Sequence, residues 1–296
     1  MAFCTCDLRD RRWNPGSGKC EFCGSTYFDE QRVWPGVSTK DVSGKLGHHE
    51  GADMTEAEFL AAYKARAYPR PSVTVDLVIF TVLHGVLHVL LIVRGGHPFR
   101  GCQAFPGGFV DAGDDEQDQG EDLDEAAHRE LEEETGLPRG SCHLEQLYTF
   151  GKAYRDPRTR TITVAYLALV RSSLAPLVRA QDDAAEAGWT PVQELLDALD
   201  AGTTKLAFDH ADILRMAVQR LRGKIDYTSI AFDLVPDTFS AGDLRQVYEA
   251  VKGRSYNAKT FHSKFRRMIT DGVILPVPGS QVTGGRRAAM FRFNRQ

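Results

Sequence analysis

One stretch, residues 106–137, constrains the fold of this chain more than any other. It opens with Pro106-Gly-Gly-Phe-Val-Asp, continues through an acidic run, and ends in Glu-Leu-Glu-Glu-Glu-Thr-Gly-Leu. Good helix formers fill residues 122–135, and Gly136 followed by Pro138 would end a helix there. The stretch therefore predicts a helix that the chain enters through a glycine-containing turn and a polar loop.

The predicted helix has an apolar face and an acidic face. The apolar residues recur at every fourth position and are expected to face a core; they are Leu123, Ala127 and Leu131. Glu130, Glu133 and Glu134 are spaced by three and four residues, so their carboxylates share one face. Like charges at this spacing repel by roughly a few tenths of a kcal/mol per pair, and a divalent cation would neutralise them. Carboxylate oxygens suit Mg²⁺, so the face predicts a magnesium site or, alternatively, a solvated acidic surface.

The spacing of these residues resembles the Nudix signature, in which a glycine, a glutamate, an Arg-Glu pair and a Glu-Glu pair follow one another at fixed distances. Here Glu121 is followed after seven residues by Arg-Glu-Leu-Glu-Glu-Glu-Thr-Gly-Leu at 129–137. The resemblance implies a catalytic set for Mg²⁺-dependent hydrolysis, with three metal ligands and two supporting residues. The implied ligands are Glu130, Glu133 and Glu134, and the supporting residues are Glu121 and Arg129.

One departure from the signature lies between its glycine and its first glutamate. Twelve residues separate Gly108 from Glu121, about seven more than the signature has. From Asp111 to Glu125 there are nine acidic residues and no basic one. The insertion either forms a longer loop that leaves the helix intact or displaces Glu121 from the site.

Three further motifs resemble Nudix-related transcriptional regulators, a family that controls genes of NAD metabolism and responds to ADP-ribose. The motifs are Arg155-Asp-Pro-Arg158, the segment Asp183 to Trp189, and Phe208-Asp-His210. The resemblance extends from about residue 54 to the end of the chain, and it includes the ADP-ribose pyrophosphatases, which are enzymes. It implies a cleft for ADP-ribose. The residues expected to bind this ligand are Gly107, Gly108, Arg155, Arg158, Asp183 and Glu186.

The residue types in these motifs allow a functional and a structural interpretation. Arg155 and Arg158 have guanidinium forks that can grip a pyrophosphate bidentately, or they form surface salt bridges. Asp183 or Glu186 either adds a carboxylate to the metal site or is solvated. His210, near a helix start, is expected to be a capping or packing residue and not a catalytic base.

The C-terminal region carries a strong positive charge. Residues 251–296 contain ten basic residues and one acidic residue, whereas the whole chain has a net charge of −4. Ser240 and Asn257 are predicted N-caps of two helices, and two strands joined by a basic loop follow. Helix, turn, basic helix and basic hairpin are typical of a winged helix-turn-helix, as in the regulators named above. The alternative is a protein-interaction module with a solvated basic face.

The basic helix and hairpin predict contacts with double-stranded DNA. The expected DNA-binding residues are Lys259, Thr260, His262, Lys264, Arg266, Arg267, Arg286 and Arg287. The first three, with Ser263, are expected near base edges because they lie on the polar, N-terminal half of the helix. The other residues are expected to contact phosphates. One winged helix covers a half-site, so we expect a homodimer on a roughly palindromic operator.

Four cysteines near the N-terminus have the spacing of a metal site. They form two pairs: Cys4 with Cys6, and Cys20 with Cys23. Paired thiolates suit a tetrahedral Zn²⁺ ion, which would stabilise a segment too polar to bury a large core. Free thiols and disulfides are the alternatives, and disulfides are disfavoured in a reducing compartment.

Taken together, these patterns predict an α/β Nudix sandwich with a mixed sheet, a C-terminal winged helix-turn-helix domain and a small N-terminal zinc knuckle. The expected boundaries are 1–50 for the cysteine-rich segment, 51–222 for the Nudix domain and 223–296 for the DNA-binding domain. No long apolar run or signal-peptide pattern occurs, so a cytoplasmic protein is expected. The leading hypothesis is an ADP-ribose-sensing regulator, and the alternative is an active ADP-ribose pyrophosphatase.

Overall fold

The computed structural model describes residues 13–14, 19–20, 55–63, 69–113, 118–175, 184–283 and 286–295. It divides the chain into two compact units, Met1–Tyr68 and Pro69–Gln296. In the first unit, β1 (Trp13–Asn14) pairs antiparallel with β2 (Lys19–Cys20), and α1 spans Glu56–Ala62. The predicted zinc ligands Cys4, Cys6 and Cys23 lie outside the described residues, and of Cys20 only the backbone is described.

The second unit is built on one mixed sheet of seven strands. They are β3 (Ser72–Leu83), β4 (Val86–Arg94), β5 (Gln103–Ala104), β6 (Gly107–Phe109), β7 (His143–Phe150), β8 (Thr161–Leu169) and β9 (Ala184–Pro191). The order is β5-β4-β3-β8-β7, with β6 paired to β3 and β9 paired to β4. The strands β3 and β8 are parallel, and the other pairs are antiparallel. This is the mixed α/β sheet that the sequence predicts.

Helices cover both faces of the sheet because β3 is apolar on both. On one face Leu77 and Ile79 pack with the buried Leu131 of α2 (Leu123–Thr135). On the other, Phe80 packs in a core with α3 (Val192–Asp200) and α4 (His210–Lys224). The expectation that Leu123 faces the core is wrong: it is 37% exposed, because it is the first residue of α2, at the end of the apolar face.

The C-terminal part has the winged helix-turn-helix order. Helices α5 (Ala241–Lys252) and α6 (Ala258–Thr270) are followed by an antiparallel hairpin of β10 (Ile274–Thr283) and β11 (Arg286–Phe293). Both predicted N-caps are confirmed. The Ser240 side chain accepts from the Asp243 N–H in a reciprocal capping box, and Asn257 accepts from the first turn of α6.

One hydrophobic core runs from the sheet into the winged helix. It contains Phe80 of β3, Leu221 of α4, Leu244 of α5 and Phe261 of α6, each at most 2% exposed. The domain built on the sheet and the winged helix are therefore packed directly against each other. The boundaries at 50/51 and 222/223 remain predictions. Within the described part of the chain, no helix is long and apolar enough to cross a membrane.

Candidate functional sites

Arg129 is the centre of the acidic cluster on α2. Its guanidinium contacts Glu121 at 2.7 Å, Glu130 at 2.8 Å and Glu133 at 2.9 Å. It also donates to the Phe109 carbonyl oxygen at 3.1 Å, which ties α2 to β6. These carboxylates raise the pKa of Arg129 well above its ordinary value, with the Glu121 hydrogen bonds the largest cause. Arg129 therefore gathers three of the acidic residues that the sequence places in the site.

The acidic insertion does not displace Glu121. The Glu121 N–H donates to the Asp111 carbonyl oxygen at 3.1 Å, and the Asp111 N–H donates to the Glu121 carboxylate at 2.9 Å. These bonds close the inserted segment at its base. Gly113 and Gly120 permit the closure, since a Cβ on either would overlap a carbonyl oxygen of the opposing strand of the loop. Of the two alternatives, the structure shows the longer loop that leaves the helix intact.

Glu130 provides a test of whether this cluster fits a divalent cation. It is only 7% exposed, and its carboxylate lies against Gly108, where a Cβ would overlap it. Burial raises the pKa of Glu130. A buried carboxylate beside exposed Glu133 and cleft-lining Glu134 has the oxygen chemistry that Mg²⁺ favours, so the donor types suit the ion. Among the described residues no group of three or more His, Cys, Asp or Glu is in a metal-binding arrangement, and Arg129 holds Glu130 and Glu133 instead.

A cleft of about 720 Å³ opens beside this cluster. Its lining includes Gly107, Gly108, Glu134, Arg155 and Arg158. Five of the residues that the sequence predicts for the ligand or metal site therefore line the same cleft. Asp183 lies outside the described residues, and of Glu186 only the backbone, in β9, is described.

Both arginines that line the cleft have carboxylate partners. The side chain of Arg155 is 3% exposed; its guanidinium contacts Asp209 at 2.6 Å and Asp76 at 3.4 Å. Arg158 contacts Asp156 at 2.7 Å, and its guanidinium lies 5.3 Å from the centre of the Phe109 ring. The Asp209 hydrogen bonds and the nearby acids raise the pKa of Arg155 against an opposing desolvation effect. A ligand phosphate would therefore compete with these carboxylates for the two guanidinium groups.

The floor of the cleft holds a buried histidine. The Phe105 N–H donates to Nδ1 of His210 at 2.9 Å, which assigns the ring proton to Nε2, 3.5 Å from an Asp76 oxygen. Burial lowers the pKa of His210, and its ring stacks on Phe105. This fits the packing role expected from the sequence.

Sequence reasoning missed two residues of the cleft, Asp76 and Arg94, and it gave Phe208 no role beyond its place in a motif. Asp76 pairs with Arg155, and the Arg94 guanidinium lies 4.9 Å from the centre of the Phe208 ring. The signal for Asp76 was present, because it is the only charged residue in strand β3, whose other residues are apolar or are serine and threonine. Arg94 carried no comparable signal.

The second candidate site is the outer face of α6. Five of the predicted DNA-binding residues are exposed there: Lys259, Thr260, His262, Arg266 and Arg267. Ser263 is exposed as well, and so is Arg287 on β11; the side chain of Arg286 is not described. Lys264 differs from these residues. It is half-buried, with its ammonium 4.0 Å from the centre of the Tyr248 ring, and burial lowers its pKa.

Comparison with known protein families gives one match for each part of the second unit. Residues 71–214 match the NUDIX domain family, and residues 227–296 match the family described as the AraR C-terminal winged HTH domain.

Two relatives are similar in sequence. The chain is 39% identical over 239 residues to the ADPR responsive transcriptional repressor NtrR of Acinetobacter baylyi, covering 81% of this chain and 88% of the relative. It is 36% identical over 152 residues to the ADP-ribose pyrophosphatase of Methanocaldococcus jannaschii, covering 51% of this chain and 76% of the enzyme.

Solved structures support the same order of domains. The crystal structure of Shewanella oneidensis NrtR complexed with a 27mer DNA matches with a TM-score of 0.61 and 30% identity, covering 75% of this chain and 93% of that one. A MutT/nudix family protein from Enterococcus faecalis matches with a TM-score of 0.62 and 26% identity, covering 87% and 99%. The chain therefore belongs to the family of Nudix-related transcriptional regulators, in which a Nudix domain is followed by a winged helix-turn-helix domain.

Proposed function

We propose that this protein is a transcriptional regulator, acting as a repressor, that binds ADP-ribose in the Nudix cleft and operator DNA through the winged helix. The observation that carries the proposal is the joining of an exposed basic helix, α6, to an arginine-lined cleft through one continuous core. The relative in Acinetobacter baylyi, named as an ADPR responsive transcriptional repressor, supports both the response to ADP-ribose and the role as a repressor.

The cleft suits a nucleotide with a pyrophosphate. Arg155 and Arg158 supply guanidinium forks for phosphate oxygens, and Gly107 and Gly108 let a ligand approach the backbone closely. Glu130, Glu133 and Glu134 would hold Mg²⁺, which would offset the negative charge of the pyrophosphate. Asp183 or Glu186 would add a further carboxylate.

The winged helix suits double-stranded DNA. Lys259, Thr260 and His262, on the N-terminal half of α6, would read base edges in the major groove. The phosphate contacts would come from Lys264, Arg266, Arg267, Arg286 and Arg287. Lys264 would have to leave the Tyr248 ring to make its contact. A homodimer would present two such helices to a palindromic operator, and the cytoplasm is the compartment where this would take place.

Hydrolysis of ADP-ribose to AMP and ribose 5-phosphate is a second candidate function. Its support is the complete acidic set around Arg129, which the insertion leaves in place, and the similarity to a pyrophosphatase. Bound Mg²⁺ would polarise the phosphorus and lower the pKa of an attacking water. Arg155 and Arg158 would orient the pyrophosphate, and Arg129 would keep Glu121, Glu130 and Glu133 in position.

The N-terminal cysteines are proposed to hold one structural Zn²⁺ ion. Cys4, Cys6, Cys20 and Cys23 supply four thiolates at a spacing that suits a tetrahedral site. Protein purified without chelator should contain one zinc per chain by elemental analysis. Absence of zinc in that preparation would remove this part of the proposal.

One experiment tests both functions in the same sample. The full-length protein first selects a duplex from a random-sequence library at low salt, and fluorescence anisotropy then follows its binding while AMP is assayed. ADP-ribose should weaken binding to the selected duplex. A protein that enriches no duplex is not a DNA-binding regulator, and binding indifferent to ADP-ribose would remove the sensing role. If AMP is released, the Glu133→Gln, Glu134→Gln double variant should release none.

A further inference from the structure

We infer that helix α4 links the nucleotide cleft to the helix-turn-helix, and that the Arg155–Asp209 ion pair is its ligand-sensitive end. The inference rests on the proposed function, because it describes how occupancy of the cleft would reach the DNA-binding surface. It is carried by contacts at the two ends of α4 and by the burial of the helix between them.

At the cleft end of α4, the residue at the N-cap position, Asp209, is held by Arg155 of the cleft. Asp209 is the N-cap of α4, yet its side chain makes no capping hydrogen bond. Both of its carboxylate oxygens instead accept from Arg155, at 2.6 to 3.1 Å. Aspartate at this position commonly accepts from the first-turn N–H groups of its helix. The ion pair therefore diverts Asp209 from the helix that it begins.

A phosphate in the cleft would compete for the same guanidinium. Arg155 lines the cleft and is otherwise buried, so an entering phosphate meets donors that Asp209 occupies. Two discrete arrangements follow. In one, Arg155 holds Asp209; in the other, Arg155 binds the phosphate and Asp209 caps α4. The ligand favours the second arrangement because only that one frees Nε and Nη2 of Arg155, the two donors that Asp209 occupies, for a bidentate grip on phosphate.

The body of α4 can carry a displacement over its full length. It has 15 residues, so it is roughly 22 Å long. Ile213, Leu214, Ala217 and Leu221 are completely buried in the core shared with the sheet and the winged helix. A close-packed helix of this kind shifts as a unit and does not bend locally.

At the other end, α4 holds the last turn of α5. Arg222 Nε donates to the Val251 carbonyl oxygen at 3.1 Å, and the Lys252 ammonium donates to the Arg222 carbonyl oxygen at 2.7 Å. These bonds reach α5 at the point where the chain turns, at Gly253, towards α6. A shift of α4 would therefore reposition the turn that sets the angle of the DNA-binding helix.

The test removes the contacts between α4 and α5, at the end of α4 that lies far from the cleft, in the full-length protein. The variants are Arg222→Gln and Lys252→Met, and the matched control is Arg215→Gln. Arg215 lies on the same helix but pairs with Asp200 and Asp212, both outside the winged helix. For each protein, ADP-ribose affinity is measured by calorimetry, and operator affinity is measured with and without saturating ADP-ribose, using the selected duplex.

In the wild type and in Arg215→Gln, ADP-ribose should weaken operator binding by the same factor, about 5- to 150-fold. Arg222→Gln and Lys252→Met should bind ADP-ribose with wild-type affinity. In these variants, the factor by which ADP-ribose weakens operator binding should fall toward one. Asp209→Asn should weaken operator binding without ligand, because it releases Arg155. If ADP-ribose weakens operator binding in both Arg222→Gln and Lys252→Met by the same factor as in the wild type, the inference is overturned and the proposed function stands. A factor of one in the wild type itself would instead remove the proposed sensing role.

Discussion

The charged groups of the cleft and those of α6 are arranged in opposite ways. In the cleft and in the acidic cluster beside it, Arg129, Arg155 and Arg158 are each bound to a carboxylate at 2.6 to 2.7 Å. On α6, Arg266 and Arg267 are exposed and take part in no ion pair among the described residues. A ligand in the cleft must exchange partners with the protein, whereas DNA meets exposed guanidinium groups that no carboxylate of the described residues holds.

This contrast assigns different tasks to the two regions. Partner exchange in a packed site produces two discrete states, which is what a sensor requires. An exposed cationic face binds a polyanion without internal rearrangement, which is what a DNA-binding surface requires. The two regions differ in chemistry, but they are packed on one shared hydrophobic core.

The first prediction tests whether the two regions are one folding unit. Leu244→Ala in α5 should lower the free energy of unfolding by about 2–5 kcal/mol, because it leaves a cavity in the shared core. Chemical denaturation followed by tryptophan fluorescence and by circular dichroism should give coincident transitions. Val86→Ala, at a position 44% exposed, should cost much less. Separate transitions would mean that the regions are energetically independent.

A smaller effect should appear when the carboxylate partners on α2 are disturbed. Arg129→Met should lower the free energy of unfolding by about 1–3 kcal/mol, since it leaves the buried Glu130 carboxylate without its cation. Added Mg²⁺ should stabilise this variant more than the wild type, because Glu130 and Glu133 are released for the ion. Thermal unfolding with and without Mg²⁺ measures both effects. Arg139→Met, at an exposed turn after α2, serves as the control, and equal stabilisation of Arg129→Met and the wild type by Mg²⁺ would contradict the metal site.

The smallest effect concerns the exposed face of α6. Arg266→Gln and Arg267→Gln should each weaken binding to all duplexes alike and flatten the slope of log affinity against log salt by about one unit. Arg215→Gln removes the same charge from α4 and should leave the slope unchanged. Anisotropy titrations over a range of salt concentrations provide the measurement. A slope unaltered in both α6 variants would place the phosphate contacts elsewhere.

Local signals in the sequence were sufficient for much of this fold. Gly136 does adopt the left-handed conformation that ends α2, and Ser240 and Asn257 do cap their helices. These features depend on residues within one turn of each other. The resemblance named Glu121 and Arg129 as supporting residues, and the structure pairs Arg129 with Glu121 and Glu130, although the insertion could not be judged from its length alone.

Features that depend on distant partners were not predictable in the same way. The segment Ala184–Pro191 has few residues that favour strands, and it becomes β9 because Trp189 and its neighbours pair with β4. The pairing of Arg155 with Asp76 and Asp209 joins residues 79 and 54 positions apart. The resemblance of the Arg155-Asp-Pro-Arg158 motif implied that Arg155 is a cation of the cleft, but only the fold shows which carboxylates hold it.

The central claim is that the cleft and the DNA-binding surface are coupled, and coupling between two binding sites is reciprocal. Calorimetry of ADP-ribose binding to the free protein and to the protein saturated with its selected duplex tests this most directly. The duplex should weaken ADP-ribose binding by the same factor by which ADP-ribose weakens duplex binding. An ADP-ribose dissociation constant that is identical in the two titrations would contradict the account.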